Sequence, residues 1–161
     1  MKIWRSHRTP ARQRGMTLIE VLSVAGIIGL LAAMAVPFFV KARSNSEDAA
    51  FINDLRVAVS GFVTYSVSEG GYPGETVAGV LPTGMSAHFS RRLRWTEPTP
   101  IGGQWDWDYQ AYGFKAGVSV FQPVRTPSQM RDIDRKIDDG DLSTGSFRTR
   151  AGGGYVYIIE P

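Results

Sequence analysis

At 161 residues the chain has room for one packed domain and an anchor, and not for two cores. It contains no cysteine, which excludes disulfides, thiolate nucleophiles and cysteine-ligated zinc, and its two histidines, His7 and His88, leave little from which to build a hydrolase centre. The net charge of +3 is uneven: Lys2, Arg5, Arg8, Arg12 and Arg14 crowd the start with no acid among them, and the remainder holds 13 basic against 15 acidic residues, so a basic isoelectric point makes no case for nucleic acid.

The basic leader ends at Arg14-Gly15-Met16-Thr17-Leu18-Ile19-Glu20. From Met16 to Val36 only Thr17, Glu20 and Ser23 interrupt a run of apolar residues and glycine. As a helix rising roughly 1.5 Å per residue this run spans about 31 Å, close to the hydrocarbon thickness of a bilayer. Positive charge before it, and none within it, keeps the leader cytoplasmic and exports everything after Pro37. An ordinary secretory signal places its cleavage site after the apolar region, whereas Gly15 lies before it, so a cut there leaves the helix on the mature protein. A carboxylate in hydrocarbon costs about 2.5–3.5 kcal/mol, so Glu20 needs a partner. The simplest alternative is a plain signal anchor holding a soluble domain.

Further along, Phe51, Ile52, Leu55, Val59, Phe62 and Val63 recur at helical spacing, and Gly70-Gly71 supplies a stop. The pattern predicts one helix over roughly 16–69, although Ser44-Asn45-Ser46-Glu47 has the form of a capping box that could start a fresh one. Residues 72–103 are rich in glycine and proline and include Arg91, Arg92 and Arg94 beside His88 and Trp95, either a contact for a neighbouring molecule or DNA, or the solvated face of a short helix. Alternation predicts strands at 104–109, 117–121 and 155–159. In the first, Trp105 and Trp107 are expected in the core and Asp106 and Asp108 on the solvent side, about 7 Å apart. Thr126-Pro127-Ser128-Gln129 opens a short helix with the apolar stripe Met130, Ile133 and Ile137, ending near Asp138. The turn that follows carries Asp138, Asp139 and Asp141; three carboxylates around a glycine could hold calcium, yet Asp and Gly are also ordinary turn residues and the EF-hand spacing is not met.

At residues 14–37 the chain resembles the type IV prepilins and the pseudopilins of type II secretion. The resemblance implies cleavage between Gly15 and Met16, N-methylation of Met16 (where the family usually has phenylalanine) and an assembly role for Glu20, which would pair with the terminal amine of a neighbouring subunit. Gly29 and Pro37 stand where pilins carry helix-weakening residues, and the interval between them would be able to unwind in a filament. The implied fold is α+β and pilin-like, a long N-terminal helix packed on a small antiparallel sheet, with a removed leader at 1–15, a transmembrane and filament-core helix at 16–39 and a head at 40–161. The implied function is structural, not enzymatic: a pilus-like filament subunit, first as a type II secretion pseudopilin, because the head is small and lacks the paired cysteines of many pilins, and alternatively as a major or minor type IV pilin. From another class, the alternative is a signal-anchored periplasmic binding module or enzyme. Expected partners are further copies and other pilin-like subunits, a prepilin peptidase, the inner-membrane assembly platform, and lipid before assembly; nucleic acid is not expected. The protein would cross the bacterial inner membrane once and then enter a periplasmic or extracellular filament. Major pseudopilins carry calcium in a C-terminal loop; the candidate ligands here, Asp138, Asp139 and Asp141, come from the acidic turn itself and do not match that loop residue by residue.

Overall fold

Leucine and alanine with no early breaker favour helix from the start of the apolar run, and α1 spans Leu18–Glu69. The computed structural model describes residues 15–89 and 93–161; the leader up to Arg14 lies outside the described residues, as do Arg91 and Arg92 of the basic cluster. The chain divides into two compact units, one ending at Ala42 and one running from Arg43 to Pro161.

In the first unit every large apolar side chain from Met16 to Val40 is exposed, and the helix is long and apolar enough to cross a membrane. Pro37 lies inside α1. It has no N–H to return to the carbonyl of Ala33, so one hydrogen bond is missing there, yet the interval from Gly29 to Pro37 is helical throughout.

In the second unit the helix buries Phe51, Ile52, Leu55, Ala58 and Phe62 along one stripe. The Ser44–Glu47 box does not start a new helix: α1 runs through it, and the Glu47 carboxylate instead accepts from Arg43 and Arg125, each at 2.8 Å. The sheet comprises β1 (Gln104–Tyr109), β2 (Ala116–Phe121), β3 (Phe147–Thr149) and β4 (Gly154–Glu160), antiparallel in the order β1-β2-β4-β3. Two aromatic pairs join helix to sheet: Phe51 stacks on Trp105 with centroids 5.3 Å apart, and Phe62 on Trp107 at 3.7 Å. The indoles of Trp95 and Trp107 find acceptors in the 73–80 segment, Trp107 Nε1 donating to the Pro73 carbonyl and Trp95 Nε1 to that of Val80. The short helix α2 (Pro127–Ile137) starts as expected, Thr126 and Gln129 capping each other reciprocally.

The solvent-side placement of Asp106 and Asp108 does not hold. Asp106 is 7% exposed and Asp108 is fully buried. Arg150, in the turn between β3 and β4, reaches across to β1 and β2, where its Nη1 donates to Asp106 Oδ2 at 2.8 Å, to Asp108 Oδ1 and to Ser119 Oγ at 2.9 Å. The second face of β1 is therefore covered as well as the first. Its free edge is covered too: Gly79 N–H donates to the Trp105 carbonyl and Tyr109 N–H to Glu75. At the opposite edge β3 offers only three residues.

Candidate functional site

The junction that the sequence singles out has a defined geometry. Gly15, Met16 and Thr17 precede α1 without regular structure; no heavy atom crowds Gly15, and Met16 is 79% exposed. Thr17 and Glu20 then close on each other. Thr17 N–H and Oγ1 donate to Glu20 Oε2 at 2.7 and 2.8 Å, and Glu20 N–H donates to Thr17 Oγ1 at 3.3 Å. This is a capping box, which satisfies donors that a helix start would otherwise leave without partners. It holds the carboxylate beside the backbone of the residue that follows Met16. Thr17 was not singled out from the sequence, although the Thr-x-x-Glu signature was present there. Gly29 stands in open space within the helix, where a missing side chain weakens the helix without serving any contact inside the chain.

The acidic turn is organised by its own backbone. Asp138 Oδ2 accepts from the amides of Ser146 and Phe147; Asp139 Oδ1 accepts from Asp141 N–H at 2.8 Å and its Oδ2 from Thr144 Oγ1 at 2.8 Å; Asp141 Oδ1 accepts from Ser143 N–H at 3.0 Å and Oγ at 2.6 Å. The carboxylate that converges with Asp138 and Asp139 is Asp134, one turn earlier in α2, with ligand atoms of all three within 4.8 Å of one another; Asp141 is not in that group. Asp134 is fully buried, and neither of its oxygens has a hydrogen-bond partner. Burial, and then the charges of Asp139 and Asp138, push its carboxyl above the usual range, which the amide of Gly140 offsets only in part.

Residues 10–36 match the prokaryotic N-terminal methylation motif. Over 52 residues the chain is 42% identical to PilA, a type IV major pilin of Myxococcus xanthus. The chain carries a type IV prepilin-like motif at residues 10–36. The stretch shared with PilA covers 32% of the chain and 24% of PilA, so about a quarter of that relative's length is spanned by this chain. No solved structure matches it. The apolar helix near the N-terminus, together with the motif, fits a membrane anchor.

Proposed function

We propose that the chain is a filament subunit, cleaved between Gly15 and Met16, N-methylated on Met16 by a prepilin peptidase and polymerised through α1 from an inner-membrane platform. The observation that carries this reading is the pairing of a methylation motif with a helix whose apolar side chains are all left uncovered from Met16 to Val40. Apolar surface of that extent needs lipid first and neighbouring helices afterwards. Glu20 contributes by leaving its contact with Thr17 for the amine of an adjacent subunit, since two charges each costly in hydrocarbon offset one another there. Gly29 and Pro37 supply the weak points at which the helix opens when packed. Before assembly the leader is cytoplasmic and the head is exported.

Two finer readings separate on one experiment. The likeness to a type IV major pilin supports a pilus; the small, cysteine-free head supports a secretion pseudopilin. Deleting the protein in its host removes surface filaments in the first case and blocks export of a secreted protein in the second. The shared reading is tested by co-expression with a prepilin peptidase followed by N-terminal sequencing and intact mass. A chain that begins at Met16 and is one methyl group heavy is expected. A chain that keeps Met1 where a control prepilin is cut would reduce the protein to a signal-anchored module.

A calcium site is proposed at the acidic turn, now with Asp134 beside Asp138 and Asp139. Its support is the buried Asp134 carboxylate, on which the nearby Gly140 amide closes no full hydrogen bond and which a divalent cation would neutralise. Calcium is expected to raise the midpoint of thermal unfolding, and Asp134→Asn to abolish that rise. An equal rise with magnesium, or none with either ion, would remove the site.

A further inference from the structure

Ser44-Asn45-Ser46-Glu47 has the order of a capping box, yet it lies unused inside α1. The stretch in front of it is poorly held. Phe38, Phe39, Val40, Ser44, Asn45 and Ser46 all belong to the weaker helix formers. Pro37 removes one hydrogen bond ahead of them, and no residue from Pro37 to Glu47 is buried, so packing does not rescue a helix that is marginal by itself. The boundary between the two compact units falls in this stretch, after Ala42. From Glu47 onward the helix is gripped. Arg125, in the bend before α2, has a side chain only 11% exposed; its Nη2 donates to Glu47 Oε2 at 2.8 Å and its Nε to Asp48 Oδ1 at 3.1 Å. Asp48 is the first buried residue of α1, and Phe51 and Ile52 follow it into the core. The other Glu47 oxygen, Oε1, accepts from Arg43, whose side chain is 83% exposed, a surface contact that costs little to break. Opening of the turn before Ser44 would release Arg43 and free Oε1 for the Ser44 amide, while Oε2 stays with Arg125. The Ser44 hydroxyl would then accept from Glu47 N–H and complete the box. Two acids in that new first turn, Glu47 and Asp48, also suit the positive end of a helix.

We propose that α1 carries a second, latent start at Ser44: residues 38–43 uncoil as a hinge while the half packed on the sheet stays helical, and Arg125 holds the new first turn in place. This goes beyond the filament reading and does not rest on it, since every contact invoked lies within one chain.

The test is residue-resolved hydrogen exchange of the full-length protein in detergent micelles, compared with Ser44→Ala, Ser44→Asp and Arg125→Met. A step from fast to slow exchange is expected between Arg43 and Asp48, whose amide is the first that a helix restarted at Ser44 bonds internally. Ser44→Ala is decided by its sign. In an uninterrupted helix alanine is the better helix former and slows exchange. At a latent start it deletes the cap, and Glu47, Asp48 and Ala49 should exchange about five-fold faster. Leu55 and Ala58 should keep their rates, and Ser44→Asp, which can still cap, should behave as wild type. Arg125→Met should move the step toward Phe51; it is read where the melting transition of the head survives, and Ser44→Ala carries the test otherwise. Level protection from Lys41 to Leu55, exchange slowed or unchanged by Ser44→Ala, or a step indifferent to Arg125→Met in a folded head would overturn the proposal.

Discussion

Arg150 is the side chain on which the buried polar network of the head depends. Replacing it by methionine keeps its bulk but leaves Asp106 and Asp108 buried without a cation, a loss of about 3–5 kcal/mol that urea unfolding would register. Asp108 carries the opposite tension. Burial pushes its carboxyl from 3.8 up to about 6, against the pull of Arg150 and of the hydrogen bond with Ser119. A carboxyl whose folded value exceeds its unfolded one holds its proton more tightly in the folded protein, so its contribution is fully present below the unfolded value and is lost as pH rises through the folded one. Asp108→Asn keeps an acceptor for Arg150 and removes the titration. Its melting temperature is expected to gain on wild type between about pH 4 and about pH 7, with no further gain above. Parallel pH profiles of the two proteins by circular dichroism would show that Asp108 titrates as an ordinary carboxyl.

At the level of elements, Gly61 sets how closely α1 approaches the segment after the 3-10 turn at Met85–Ala87. In an open helix Gly→Ala gains about 1 kcal/mol. At Gly61 the added Cβ would stand 2.6 Å from the Phe89 ring, which is wedged edge-on to Phe62 and stacked on Trp95. Overpacking wins, and Gly61→Ala should destabilise the head by about 1–3 kcal/mol in urea; a more stable variant would mean that Phe89 swings aside. Thr126→Ala removes half of the α2 capping box and should cost about 1 kcal/mol in the same assay. These two helices were legible in the sequence because a 3.6-residue period and a cap are local signals. The three residues of β3 are too few to show alternation, and that strand was missed. The burial of Asp106 and Asp108 was illegible for another reason: their partner lies 44 and 42 residues away, brought across by a turn that no local pattern announces. Asp134 and Asp138 stand at four-residue helical spacing, but the acidic run from Asp138 to Asp141 is the stronger local signal, and the fold is needed to show that Asp134 and not Asp141 converges with Asp138 and Asp139.

Taken whole, the molecule has opposite surface economies in its two units. One leaves its large apolar side chains uncovered; the other buries three tryptophans (Trp95, Trp105 and Trp107), four phenylalanines (Phe51, Phe62, Phe114 and Phe147) and a charge cluster. Folding and assembly should therefore be separable by substitution. Among the described residues the Glu20 side chain hydrogen-bonds to Thr17 and to no residue of the head, so Glu20→Ala is expected to abolish polymerisation while the thermal transition of the head stays where it is. A joint loss of both would mean that Glu20 serves folding and not assembly.

The covered β1 edge and the three-residue β3 edge have a consequence for crowding. Among the described residues, heads brought together at high local density offer one another at most the three residues of β3, too short a template for cross-β growth. Contacts between heads are left to side chains, which can vary without risking fusion of the sheets into a single aggregate.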